Sequence, residues 1–143
     1  IVSGVLNPNN TIDLSRTKEL VELSKPLSFT FHRAFDCVKN PEEALEQLID
    51  LGIDRILTSG LQPSAEKGIG TLRKLNEQAD GRITILAGSG INQNNAKRFK
   101  EIGLKEIHAS ASSTIESDGS LFSTPLSYSD PKKIKAILSA ISH

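Results

Sequence analysis

The chain has 143 residues, of which 37% are hydrophobic and 24% charged, and its 17 basic and 17 acidic side chains cancel. This length and composition predict one soluble globular domain over residues 1–143, and the balanced charge argues against nucleic-acid or membrane partners. A single cysteine excludes an intramolecular disulfide framework, and no apolar stretch reaches the roughly 18 residues of a membrane span. A cytoplasmic location is therefore expected.

The first ten residues, IVSGVLNPNN, resemble no secretory leader. They contain neither the cationic start nor the long apolar core of a signal peptide. Because Ile1 is not an initiator residue, we expect that the N-terminus has been cut or processed.

A repeat of strand and helix organises the chain. Strand-like runs begin near Ile1, Leu27, Arg55, Ile83 and Glu106, at intervals of 23 to 28 residues. An interval of that length accommodates one strand and one helix. The pattern therefore predicts five βα units.

Helices are predicted after each of these strands. The first lies between Leu14 and Leu23. The second begins at Asn40-Pro41, an N-cap followed by proline at the first helical position, and ends at Gly52. Apolar residues at helical spacing predict three more: Ala65, Ile69, Leu72 and Leu75; Ala96, Phe99 and Ile102 after a cap at Asn92; and Ile134, Ile137, Leu138 and Ile141 after Asp130-Pro131.

Five βα units permit two architectures. One is an open, doubly wound sheet of flavodoxin-like size, and the other is a contiguous part of a (β/α)₈ barrel. Length favours the open sheet, because a complete barrel typically needs about 250 residues. The serine-rich segment 112–129 has no periodicity and is predicted to be a long loop.

Four apolar runs between Phe29 and Ala111 each end in small and polar residues: FTFHRAFD, RILTSG, ITILAGSGI and EIHASA. With its LTSG, GSG and HAS motifs, this segment resembles the CutC family of copper homeostasis proteins. The resemblance implies a TIM-type (β/α) barrel, of which these units resemble the last five of eight. We therefore predict an α/β fold of that type, an incomplete part with five parallel strands. Missing N-terminal strands or a homo-oligomer would cover its open sheet edges.

Two histidines are predicted to face the barrel interior near the strand ends. Period-2 alternation places Phe29 and Phe31 on the helix side in FTFHR, and so turns His32 inward. The same pattern in EIHAS turns His108 and Ser110 inward. Because imidazole can donate or accept a proton near neutral pH, His32 and His108 are catalytic candidates. The alternative is that each only satisfies a buried partner.

Arg33 and Asp36 follow His32 directly and are further catalytic candidates. The guanidinium of Arg33 can hold a carboxylate or phosphate, and Asp36 could orient either neighbour. The alternative is a structural hydrogen-bond cluster that ties the strand to the following helix.

The neighbouring strand ends predict an anion site. Glycines let a ligand approach the backbone, and exposed N–H groups at a helix start attract anions. In barrels the loops after strands seven and eight often bind phosphate, and here those would be 88–92 and 109–112. The alternative is a tight corner with ordinary capping. The candidate anion ligands are Arg33, Thr58, Ser59, Gly88, Ser89, Gly90, Asn92 and Ser110.

Copper ligands are sparse in this chain. Cu(I) prefers thiolates and thioethers, and the sequence has one cysteine and no methionine. A mixed metal site of Cys37, His32 and His108 is conceivable. The alternative is that Cys37 is a small hydrophobe at the start of a helix.

Two functions therefore remain open. The resemblance implies a cytosolic copper homeostasis protein that binds or traffics copper, with Cu(I) as its ligand. The residues themselves favour a barrel enzyme acting on a small anionic metabolite that carries phosphate or carboxylate. In that enzyme Arg33 and the turn at 88–92 would hold the anion, with His32 and His108 as acid and base.

Overall fold

Five parallel strands form the main sheet of the computed structural model, which describes residues 1–115 and 126–142. In these described ranges the strands lie side by side in the order β1-β2-β3-β4-β5, and all four pairings are parallel. The predicted strand positions are confirmed. The strands are β1 (Val2–Ser3), β2 (Thr30–Phe31), β3 (Arg55–Thr58), β4 (Thr84–Gly88) and β5 (Glu106–His108).

Each predicted helix is present, although two begin later than expected. The helix predicted from Ala65 begins at Ile69, and the one predicted to be capped by Asn92 begins at Ala96, with Asn95 at its N-cap. Within the described part of the chain, no helix combines the length and apolarity that a membrane crossing requires. The helices are α1 (Leu14–Ser24), the short 3₁₀ helix Arg33–Cys37, α2 (Pro41–Asp50), α3 (Ile69–Ala79), α4 (Ala96–Glu101) and α5 (Pro131–Ser142).

The order of the strands distinguishes the two predicted architectures. A doubly wound sheet reverses its strand order, which places helices on both faces. Here the spatial order follows the chain, so right-handed crossovers place the connecting helices on one face. On that face Phe31, Ile56 and Ile85 are paired in register and at most 2% exposed. On the other, the side chains of Arg55 and Glu106 form an ion pair and remain 33% and 37% exposed. The sheet is therefore barrel-like, and the doubly wound alternative is wrong.

The core lies between this sheet and the helices. Its large side chains are almost fully removed from water, and each such burial stabilises the fold by about 1.5–3 kcal/mol. Those below 2% exposure include Phe29, Phe31, Phe35, Phe99, Leu45, Leu48, Ile56, Leu72 and Leu75.

The main sheet does not close into a barrel within the described residues. The outer strands β1 and β5 each pair on one side only. Apolar side chains lie exposed near both edges, with Val2 at 63% and Leu138 at 54% exposure. Coverage of these edges by further strands or by another copy of the chain stays a prediction.

A two-stranded antiparallel sheet replaces part of the predicted loop. Strand β6 (Ser112–Ile115) pairs with β7 (Leu126–Ser129), so the loop prediction is wrong for these residues. Residues 116–125 of that segment lie outside the described residues. Each strand has only four residues and is rich in serine, so the sequence shows no recognisable alternation of apolar and polar residues. The apolar residues Ile115 and Leu126 nevertheless pair with each other.

Candidate functional site

Asp36 connects the 3₁₀ helix to the end of β3. Its Oδ1 accepts hydrogen bonds from Thr58 Oγ1 at 2.5 Å and from the backbone N–H groups of Ser59 and Leu61 at 3.0 and 3.1 Å. Its Oδ2 accepts from Arg33 Nε at 2.7 Å and lies 3.0 Å from Ser59 Oγ. The carboxylate therefore fixes the residues after β2 against those after β3.

This hydrogen bonding also determines the charge of Asp36. Burial raises the pKa of its carboxyl, but the hydrogen bonds from Thr58, Arg33 and the N–H groups of Leu61 and Ser59 outweigh burial and hold the pKa below its usual 3.8. Asp36 is therefore ionised near neutral pH, which suits an anchor better than a general acid.

Thr58 and Ser59 are engaged within the protein. Both are 0% exposed, and Thr58 Oγ1 donates to Asp36 while accepting from Gly60 N at 2.9 Å. The Ser59 hydroxyl accepts from Arg33 Nη2 at 2.8 Å. Their geometry favours the structural alternative, in which these side chains and Asp36 form a junction between loops.

Arg33 is held in place and still reaches solvent. Its Nε and Nη2 bind Asp36 and Ser59, and its side chain is 44% exposed. Together with His108 and Ser110 it lines a cleft of about 270 Å³, which we call the Arg33 cleft. The turn Gly88–Ile91 forms another wall of this cleft. The predicted anion ligands Arg33 and Ser110 and the predicted acid or base His108 thus line one cleft.

His108 lies on β5 opposite Gly88 of β4. A Cβ placed on Gly88 would lie 2.6 Å from Leu57 Cδ1 and 3.5 Å from His108 Cβ. A Cβ at Gly88 would therefore require the Leu57 side chain to move, while His108 would be in ordinary contact. His108 is exposed, so its ring is accessible to a ligand in the cleft.

His32 does not line the Arg33 cleft. Its Nδ1 accepts a hydrogen bond from Ala34 N at 3.2 Å and so caps the 3₁₀ helix. The ring lies over Gly4 near β1, where a Cβ would come within 2.7 Å of Nδ1. The structure therefore does not bring His32 to the cleft that Arg33 and His108 share.

The turn after β4 is built by its own side chains. Ser89 and Gly90 have φ values of 89° and 74°. Asn92 donates from Nδ2 to Gly90 O at 3.1 Å and accepts from Asn94 N at 2.9 Å. Because α4 begins only at Ala96 and has six residues, the helix start that we expected at Asn92 is not there. The prediction that a helix dipole at Asn92 would attract an anion is therefore wrong, whereas Gly88, Ser89 and Gly90 do line the cleft.

A second cleft adjoins the first and contains a cation that the sequence analysis missed. This Lys133 cleft measures about 340 Å³ and shares Gly90, Ile91 and Ser110 with the Arg33 cleft. Lys133 lies in the first turn of α5, and its Nζ donates to the Ser112 carbonyl. A lysine in the first turn of a helix interacts unfavourably with the helix dipole. This unusual position is the feature of the sequence that could have identified Lys133 as a candidate. We call the two clefts together the mouth groove.

The three residues considered for a metal site are not assembled into one. Within residues 1–115 and 126–142, no three His, Cys, Asp or Glu side chains lie close enough together to hold a metal ion. Cys37 is exposed at the end of the 3₁₀ helix, while His32 caps its start and His108 lies on β5. A mixed Cys37, His32 and His108 site therefore does not form in this arrangement.

Comparisons with known proteins agree with this fold. Residues 1–113 match the model of the CutC family. A CutC family protein of Bacteroides fragilis is 55% identical over 118 residues, which is 82% of this chain and 47% of that protein. One from Vibrio cholerae is 50% identical over 121 residues, covering 82% and 48%. The crystal structure of a CutC protein of Streptococcus agalactiae, named for copper homeostasis, has a TM-score of 0.70 at 32% identity and covers 75% of this chain and 53% of that one. The chain spans about half the length of the curated relatives it matches.

Proposed function

Because the chain belongs to the CutC family, we propose that it serves copper homeostasis as part of a cytosolic protein. The family match over residues 1–113 carries this proposal, and the related S. agalactiae structure is named for the same role. The proposal concerns the whole protein, since the chain covers about half of its relatives. Within residues 1–115 and 126–142, no group of three metal-ligating side chains supports it, so the proposal rests on the family match alone.

We expect deletion of the gene that encodes the protein to lower the copper concentration at which its host stops growing. Complementation with the wild-type protein and with the Cys37→Ala variant should restore tolerance equally, because Cys37 belongs to no group of three metal-ligating side chains in the described residues. Unchanged tolerance on deletion would overturn the copper role. Failure of Cys37→Ala alone to restore tolerance would show instead that this exposed thiol binds or transfers copper.

The mouth groove favours a second function, that of a barrel enzyme acting on a small metabolite with a phosphate or carboxylate group. The Arg33 cleft supplies a guanidinium that Asp36 and Ser59 hold in position, so little side-chain entropy is lost on binding an anion. His108 lines the same cleft and is the candidate acid or base. His32 remains only a prediction in this role, since it caps the 3₁₀ helix.

Phosphate is expected to stabilise the chain through Arg33. At about ten times its dissociation constant, phosphate should add about 1.4 kcal/mol and raise Tm by about 4 °C. Arg33→Ala should abolish this shift in a thermal melt, whereas Arg73→Ala, which removes an exposed arginine on α3, should retain it. Equal protection by chloride at matched ionic strength, or full protection of Arg33→Ala, would rule out a specific anion site.

A further inference from the structure

The mouth groove has a cation in each of its two clefts. Arg33 lines one and Lys133 the other, and the clefts share Gly90, Ile91 and Ser110. The two clefts therefore adjoin across these three residues. The volumes of about 270 and 340 Å³ together reach the range of small-molecule sites, about 300–1,000 Å³.

Among the described residues, the charged side chains that line the two clefts are both cations. No Asp or Glu is among the residues that line either cleft in the described part of the chain, although the whole sequence has equal numbers of acidic and basic residues. Asp36 forms an ion pair with Arg33 through Oδ2, while its Oδ1 accepts hydrogen bonds from the end of β3. Asp130 is likewise engaged, because it accepts from Ser113 Oγ at 2.9 Å and Lys132 N at 2.8 Å. Each cation thus interacts with a carboxylate just outside the groove, Arg33 with Asp36 and Lys133 with Asp130, and neither carboxylate lines the groove itself.

Lys133 has an unfavourable position in its helix that a Coulombic attraction to Asp130 offsets in part. It stands at the third position of the twelve-residue α5, where the positive end of the helix dipole disfavours a cation. Its hydrogen bond to the Ser112 carbonyl holds the ammonium at the cleft wall and uses one of three N–H groups. An anion in the Lys133 cleft would relieve the unfavourable interaction with the helix and satisfy the remaining donors.

Backbone strain occurs in the same place. Ser89 in the Arg33 cleft and Ala111 in the Lys133 cleft have φ values of 89° and 45°. Non-glycine residues pay about 1–2 kcal/mol for such conformations, which are also present outside the groove at Asn10, Leu61 and Asp80.

We propose that the mouth groove binds one ligand with two anionic groups, one held by Arg33 and the other by Lys133. This inference rests on the proposed anion-binding function of the Arg33 cleft and specifies its ligand class. The two groups are joined by a short linker that passes the shared wall of Gly90, Ile91 and Ser110. Inorganic phosphate then occupies only part of the site.

Calorimetric titration with phosphate and with alkane bisphosphonates of one to four linker carbons tests the proposal. At constant ionic strength, we expect the best bisphosphonate to bind wild-type chain about tenfold or more tighter than phosphate, because its second group binds at high effective concentration. Lys133→Ala should reduce that bisphosphonate to the affinity of phosphate while phosphate still binds through Arg33. Lys132→Ala is the matched control, since it removes a charge from the same turn of α5 outside both clefts, and should behave as wild type.

The outcomes separate this inference from the proposed function. If no linker gives tighter binding than phosphate, or if Lys133→Ala binds like wild type, the two-group ligand is overturned and the Arg33 anion site stands. If phosphate fails to bind, the anion-binding function is overturned. Bisphosphonate binding that depends on Lys133 but not on Arg33 overturns both, because the ligand then has a single anchor.

Discussion

Replacing Gly68 by alanine is expected to lower the free energy of unfolding by about 3 kcal/mol. A Cβ on Gly68 would lie 1.9 Å from the carbonyl oxygen of Ser59, and a Cβ on Gly60 would lie 2.4 Å from the carbonyl oxygen of Gly68. The loop after β3 and the start of α3 thus meet backbone to backbone. Neither can retreat easily, because Ser59 N is bonded to Asp36 and Gly68 O accepts from Leu72 N at 2.9 Å.

Gly70→Ala provides the matched control for this prediction. Gly70 lies two residues away inside α3, and its Cβ would meet nothing within 4 Å. Alanine there should raise the free energy of unfolding by about 0.5–1 kcal/mol, because glycine is a poor helix former. Urea denaturation of the three proteins measures both effects. Equal midpoints for Gly68→Ala and wild type would show that the two backbones do not need to touch.

Replacing Asp36 by asparagine is expected to cost about 3 kcal/mol of folding free energy at neutral pH. An asparagine offers one acceptor oxygen where the carboxylate offers two, and its amide group would face donors from Ser59 and Arg33. The charge that balances Arg33 is also lost. Asp50→Asn is the control, because Asp50 is exposed at the end of α2 and its replacement should change the stability little.

The contribution of Asp36 should also depend on pH. Its pKa is lower in the folded chain than the ordinary value of 3.8, so its stabilising effect is complete above the unfolded pKa and declines as pH falls through the folded pKa. The difference in stability between wild type and Asp36→Asn should therefore shrink below about pH 4. A difference that stays constant down to pH 2 would show that the carboxylate charge contributes nothing.

Elements whose signals are local were predictable from the sequence. In α2 the N-cap, the first-turn proline and the apolar stripe all lie within ten residues. The structure contains the expected hydrogen bond from Glu43 N to Asn40 Oδ1 at 3.2 Å, and Leu45 and Leu48 are 0% exposed. The barrel-like strand order was predictable only through the family resemblance, because alternation in single strands does not say which strands are neighbours.

Features that depend on distant partners were missed or misassigned. The β6–β7 pairing joins Ser112 to Ser129, and composition alone does not reveal such a pair. Thr58 was predicted to contact a ligand, but its hydroxyl binds Asp36 from 22 residues earlier in the chain. Lys133 reaches the groove from a helix beyond the motifs that defined the site.

The two histidines show the limit of alternation within a strand. It indicates the face on which a side chain starts, and His108 accordingly lines the Arg33 cleft. It does not indicate where the imidazole ring is finally placed. His32 turns to the N–H of Ala34 two residues later, a local capping choice that removes it from the cleft.

The unequal lengths of the strand pairings have a consequence for how the chain opens. Four residues of β3 pair with β4, whereas only two residues of β1 pair with β2. Because opening of a strand exposes only the hydrogen bonds and apolar contacts of that strand, β1 can detach at a small fraction of the global unfolding free energy, while β3 and β4 open only with the whole molecule. The Asp36 junction is anchored on β3, so the Arg33 end of the groove is attached to the most persistent part of the sheet. Amide protons at β1 would then exchange with solvent through local fraying that leaves the groove intact.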